Sequence, residues 1–131
     1  MTHPPFGVLL WLPLKSKARP RCPRRGGRPY LPVDYQEWRK CAEDQLKGIW
    51  SAYDLPTLEC CAMRMRFYGP GRHDLDNLQG SFLDAGLPNK KTDWRGCWKD
   101  DRVTVIPEIH ATWHRSKYQY TRVTITPLAH S

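Results

Sequence analysis

The chain has 131 residues, enough for one domain (residues 1–131) built on a single modest core. Apolar residues make up 40%, which excludes a disordered chain. The 21 Lys and Arg outnumber the 13 Asp and Glu, and the resulting charge of +8 points to a polyanionic partner, nucleic acid above all.

The first apolar stretch, "FGVLLWLPL", is too short to cross a membrane. It has no basic segment before it and no small-residue cleavage site after it, so a signal peptide is not expected. It reads as a buried strand over 7–12, ended by Pro13. Residues 15–29, "KSKARPRCPRRGGRP", hold seven Lys or Arg, no acid, and several Pro and Gly. That composition predicts a basic loop, with Lys15, Lys17, Arg19 and Arg21 placed to displace counterions from a phosphate backbone.

Residues 34–50 predict a helix. Asp34 and Glu37 resemble a capping box, and Tyr35, Trp38, Ala42, Leu46 and Ile49 recur on one face. Residues 58–68 predict a strand, with Met63, Met65 and Phe67 toward a core and Arg64, Arg66 and Tyr68 away from it. A Gly-Pro-Gly turn follows. In "RHDLDNLQGSFLDAG" (72–86), Leu75, Leu78, Phe82 and Ala85 fall at helical spacing and Gly86 is a natural stop. Residues 87–99 predict a polar loop. Strands over 102–114 and 118–126 close the chain, and Pro107 marks the first of them as an edge strand or a bulge. The expected fold is an α+β sandwich of β-α-β-α-β-β order, one mixed sheet with two helices on a face. Five cysteines, an odd number with no C-x-x-C, argue against a disulfide framework or a zinc knuckle and for reduced thiols in a cytoplasm.

Acids gathered in a basic chain call for a reason. At a helix entry Asp74 can remain extended while Asp76 has joined the first turn, so two carboxylates can converge at the positive helix end with Leu75 turned to the core between them. Such oxygens suit Mg²⁺, which takes one or two carboxylates plus phosphate and water. "KDD" (99–101) begins the next strand and can bring Asp100 or Asp101 to the same end of the sheet. The plain alternatives are an N-cap for Asp74, a first-turn acid for Asp76 and a polar turn for Asp100 and Asp101. Arg72 is a credible phosphate contact, and His73 abuts Asp74. Trp94 and Trp98 either pack the loop or wedge into nucleic acid. His110 and His114 share a strand face but lack a third ligand at a suitable spacing.

"DLDNLQ" (74–79), "DA" (84–85) and "WKDDRV" (98–103), with "LPLKSKARPR" (12–21) and the Tyr35–Trp38 helix, resemble the RusA family of Holliday-junction resolvases. The resemblance implies a Mg²⁺-dependent endonuclease, with Mn²⁺ able to substitute. It would act as a homodimer that nicks two strands of a four-way DNA junction by in-line attack. The protein would be cytoplasmic and DNA-associated, bacterial or phage-encoded. The family's essential acids fall on Asp74, Asp76 and Asp101, with Asp100 beside them. One departure stands out: the family's lysine two residues after "NL" is Gly80 here. Lys99, or Lys90 or Lys91, would have to replace it. Otherwise the protein binds junctions, or RNA, without cutting.

Overall fold

The computed structural model describes residues 4–23 and 26–129, so Arg24 and Arg25 of the basic segment lie outside the described residues. Strand β1 (Phe6–Leu10) leads to helix α1 (Val33–Ala52), strand β2 (Cys61–Gly69) and helix α2 (Leu75–Ala85). A short 3-10 turn at Lys90–Thr92 precedes strands β3 (Glu108–Arg115) and β4 (Tyr120–Pro127). The four strands make one mixed sheet ordered β1-β4-β2-β3, in which β2 and β3 are parallel and the other neighbours antiparallel. This is the α+β arrangement expected from the sequence.

The alternation along β2 does what its chemistry requires. Cys61, Met63, Met65 and Phe67 are buried, while Arg64, Arg66 and Tyr68 reach the other face. Val8 and Leu10 of β1 and Val123 and Ile125 of β4 join the buried side. Onto it pack Ala42, Leu46 and Trp50 of α1 and Leu78, Phe82 and Ala85 of α2. Among the described residues no helix packs on the other sheet face.

Three local expectations are corrected. Helix α1 begins at Val33 after Pro32, with no side-chain cap, so Asp34 and Glu37 form no capping box. The Asp34 carboxylate is instead 2.7 Å from Lys15 Nζ, which lowers its pKa. The strand expected over 102–114 starts only at Glu108. Ahead of it, the N–H groups of Val105 and Ile106 both donate to the Arg102 carbonyl, and this turn drops the two apolar side chains into the core. Pro107 then sits just before β3, an edge strand, where its missing N–H breaks no ladder. Finally, Leu75, the first residue of α2, is 39% exposed rather than turned to the core.

Trp98 is a core residue, not a wedge. It is fully buried, packs on Phe82 and Trp50, and donates its indole N–H to the Leu83 carbonyl at 3.0 Å. Gly86 does end α2, but with φ −93° it is right-handed, and any residue could adopt that backbone. Its constraint is space: a Cβ there would overlap the Trp98 ring. Gly86→Ala is therefore expected to destabilise the fold by about 3 kcal/mol in urea unfolding followed by circular dichroism. Gly80→Ala, whose Cβ would meet only the flexible Lys17 stem at 3.0 Å, should stay within about 1 kcal/mol of wild type.

Candidate active site

The entry of α2 is shaped as its sequence demands. After Gly69 ends β2, a four-residue turn delivers Asp74 to the N-cap position with φ −83° and ψ 140°, an extended backbone, and Asp76 to the first helical turn. The Asp74 carbonyl accepts the N–H groups of Asn77 and Leu78 at 3.1 Å, but its carboxylate makes no capping bond. Asp76 accepts only from the adjacent Asn77 N–H, at 3.0 Å. Both side chains are exposed, and among the described residues neither has an ion pair. Two carboxylates with spare oxygens at a positive helix end form a donor set suited to a hard cation.

The basic segment is attached to this entry. The Lys17 N–H donates to the Asn77 carbonyl at 3.0 Å, and the aliphatic stem of Lys17 lies across Gly80, its Cδ 3.0 Å from where a Cβ would be. Ser16 Oγ is 2.7 Å from His73 Nδ1. Burial, with Arg72 and Lys15 nearby, holds the His73 ring below its ordinary pKa, so it is neutral at pH 7. Its Nε2 is buried with no partner. Further along, Arg21 and Tyr30 exchange backbone hydrogen bonds at 2.7 and 2.9 Å, and Arg19 and Arg21 are exposed. Arg72 is exposed beside the acids. Lys15 is already engaged by Asp34.

Asp100 and Asp101 lie elsewhere. Leu58 bridges Trp98, the Leu58 N–H donates to the Cys97 carbonyl, and the Lys99 N–H donates to the Leu58 carbonyl. Residues 97–101 therefore sit ahead of the N-terminal end of β2, whereas Asp74 follows its C-terminal end. The eight steps from Cys61 to Gly69 span about 26 Å. The expectation that the four acids share one end of the sheet is corrected: no strand starts at Asp100, and the chain turns toward the core instead. Asp100 is used locally, accepting from the Asp101 N–H at 2.7 Å and lying 3.0 Å from Arg102 Nε. Asp101 is exposed. Lys99 travels with this pair, and the 3-10 turn carrying Lys90 and Lys91 follows the far end of α2, so none of the three stands beside Asp76. Among the described residues no group of three or more His, Cys, Asp or Glu converges as a metal would require.

Sequence reasoning missed the pairing of Lys17 with Gly80. The signal was present in two parts, a glycine inside a helix and a basic segment upstream, but only the fold joins them. Asp84 also has a structural role, since it accepts the Tyr35 hydroxyl at 2.8 Å and lies 3.8 Å from Arg39 Nε, fastening α2 to α1. Burial, then this bond, keeps Tyr35 protonated well above the usual phenol range. A cleft of about 580 Å³ between residues 29–31, α1 and the 3-10 turn is lined by none of the four acids. His110 pairs with Glu108 at 3.4 Å and His114 Nε2 lies 2.9 Å from Thr112 Oγ1, both on the open sheet face.

A scan of protein-family models finds none that matches this chain, and a search of curated proteins returns no match. Among the described residues no helix is long and apolar enough to cross a membrane.

The two kinds of aspartate should separate in stability measurements. Asp74→Ala should change unfolding free energy by no more than about 0.5 kcal/mol, since no capping bond is lost. Asp84→Ala should cost about 2 kcal/mol by removing a charge-assisted partner of Tyr35. Equal costs would mean that Asp74 caps the helix in solution.

Proposed function

We propose that the protein is a Mg²⁺-dependent endonuclease of the junction-resolving kind, acting on four-way DNA. One observation carries this reading: two exposed, uncapped carboxylates at the entry of α2 are bonded into the same unit as a strongly basic segment, through Lys17 and Asn77 and through Ser16 and His73. Basic side chains neutralise a phosphate backbone, and the acids give a cation one place along it. The resemblance to the RusA family of Holliday-junction resolvases supplies the substrate.

In this reading Asp74 and Asp76 would hold Mg²⁺, and their spare oxygens fit it. Asp101, with Asp100 beside it, would complete the set from a second copy of the chain, since within one chain the two pairs stand at opposite ends of β2. A homodimer is then part of the site. A bound Mg²⁺ supplies positive charge against the scissile phosphate and acidifies water. The protein's own groups do the rest. Arg19, Arg21 and Arg72 would hold the flanking backbone, His73 would stay neutral beside Asp74, and Lys17 would bring an ammonium to the helix face on which the related family carries a lysine.

The first test is cleavage of a labelled four-way junction against a duplex of matched length, with Mg²⁺ or with chelator. Paired nicks that need both Mg²⁺ and Asp76 are expected. Asp76→Asn and Asp101→Asn should each be inactive alone. Mixed together, they should regain nicking of one strand, because one site of the mixed dimer would keep all its acids. Junction binding without cleavage, in Mg²⁺ or Mn²⁺, would make the protein a binder. Cleavage by wild type without recovery on mixing would confine the site to one chain.

The cation can be tested separately. Lys17→Ala should lower the single-turnover cleavage rate by about a hundredfold, the loss typical of removing one group that faces developing charge. Adding Gly80→Lys to that variant should restore part of the rate, since the new side chain rises from the helix where the Lys17 stem had lain. No loss in Lys17→Ala would return the role to Lys99.

A further inference from the structure

The sheet face turned away from the helices is uncovered, and its composition is not that of an idle solvent face. Arg64 and Arg66 of β2 and Arg122 of β4 stand on it, and Arg66 lies directly opposite Arg122 in the antiparallel register. Among the described residues none of the three has an ion pair. Directly opposed like charges destabilise a sheet, and an anion between them would reverse the sign. Glu108, the one acid on the described strands of this face, lies 3.4 Å from His110. A groove of about 400 Å³ runs past Arg64, Arg66 and His110.

Beside the arginines, a row of rings runs from Trp11, the residue after β1, across β4, β2 and β3. Trp11 and Tyr120 have centroids 5.1 Å apart, Tyr120 and Tyr68 4.4 Å, and Tyr68 and His114 4.9 Å. Trp11, at one end of the row, is 62% exposed. The row lies toward the C-terminal end of β2, the end that leads through Gly69 to Asp74.

We infer that this open face binds a single polynucleotide strand, its phosphates on Arg64, Arg66 and Arg122 and its bases against the aromatic row. Guanidinium forks match phosphate geometry, and aromatic rings stack bases without regard to sequence. The inference rests on the function proposed above in taking DNA as the polymer, but the acids play no part in it. A second copy of the chain is a poor occupant, because a two-fold contact would set the same arginines against one another with one paired glutamate per copy to meet them.

The test is binding of a labelled oligothymidylate across a salt series, using wild type and an Arg66→Gln/Arg122→Gln variant whose melting temperature checks its fold. Wild type should bind with quenching of tryptophan fluorescence that Trp11→Phe removes. The double variant should bind about tenfold more weakly at 0.1 M salt, and its log–log salt slope should be shallower by about 1.4, or 0.7 for each of two phosphate contacts. Unchanged affinity and slope, with junction binding intact, would overturn the inference and leave the proposed function standing. So would unchanged strand binding with an altered sedimentation coefficient, which would assign the face to self-association. Strand binding lost as expected in a wild type that never cleaves would support the face while sinking the nuclease reading. No binding of any DNA by wild type would overturn both.

Discussion

The indole of Trp98 fills the space that any side chain at position 86 would need, and the fold is arranged around that contact. The ring packs at a tilt against Phe82 of α2, meets Trp50 of α1 edge-on, and donates to the Leu83 carbonyl, so both helices are fixed at one end. The same backbone pairs with Leu58 as the chain approaches β2. One buried residue thus ties together the end of α2, the end of α1 and the start of β2. The positions of the acids follow. α2 is 11 residues, about 16 Å, so its entry is carried well away from Trp98 toward the far end of β2. Asp100 and Asp101, two and three residues beyond Trp98, cannot leave that end.

Within one chain the Asp74–Asp76 and Asp100–Asp101 pairs stand at opposite ends of β2. A hard cation bound by three or four carboxylates would need both ends of the sheet, and a single domain keeps them apart by the length of a strand. Either Asp74 and Asp76 act as a pair with phosphate and water completing the shell, or a second copy presents its Asp101. Among the described residues neither the Asp74 nor the Asp76 carboxylate makes a cap bond or an ion pair, while Asp34, Asp84 and Asp100 are engaged. Spare carboxylate oxygens beside a basic segment are what distinguish this helix entry from the other acidic turns of the molecule.

Residues whose role depends on period were legible in the sequence. The two-residue alternation of Met63, Met65 and Phe67, and the helical spacing of Tyr35, Ala42 and Leu46, each name a buried face without reference to anything distant. The helix entry at Asp74 and Asp76 was legible for the same reason. What failed were inferences in which a local pattern competed with a long-range partner. Asp34 has a helix-cap spacing, but Lys15, 19 residues upstream, takes its carboxylate. Residues 102–106 are apolar enough for a strand, yet Val105 and Ile106 turn into the core ahead of β3. Trp98 in a polar loop gave no periodic signal, since its partners are Gly86, Leu83 and Trp50. Gly80 looked like an absence, and the fold makes it a seat for Lys17.

The sheet separates two chemistries by a single residue step. Along β2 every second side chain is committed to the core, and the intervening positions carry Arg64, Arg66 and Tyr68. β4 repeats the pattern with Tyr120, Arg122 and Thr124 between Thr121, Val123 and Ile125. A one-residue slip in either register would bury guanidinium groups, so the cationic face and the core specify the same alignment. The face costs the isolated fold some like-charge repulsion, since Arg66 and Arg122 stand directly opposite each other. The basic segment is bonded to the helix entry that carries Asp74 and Asp76, whereas the arginines stand on the sheet face turned away from both helices.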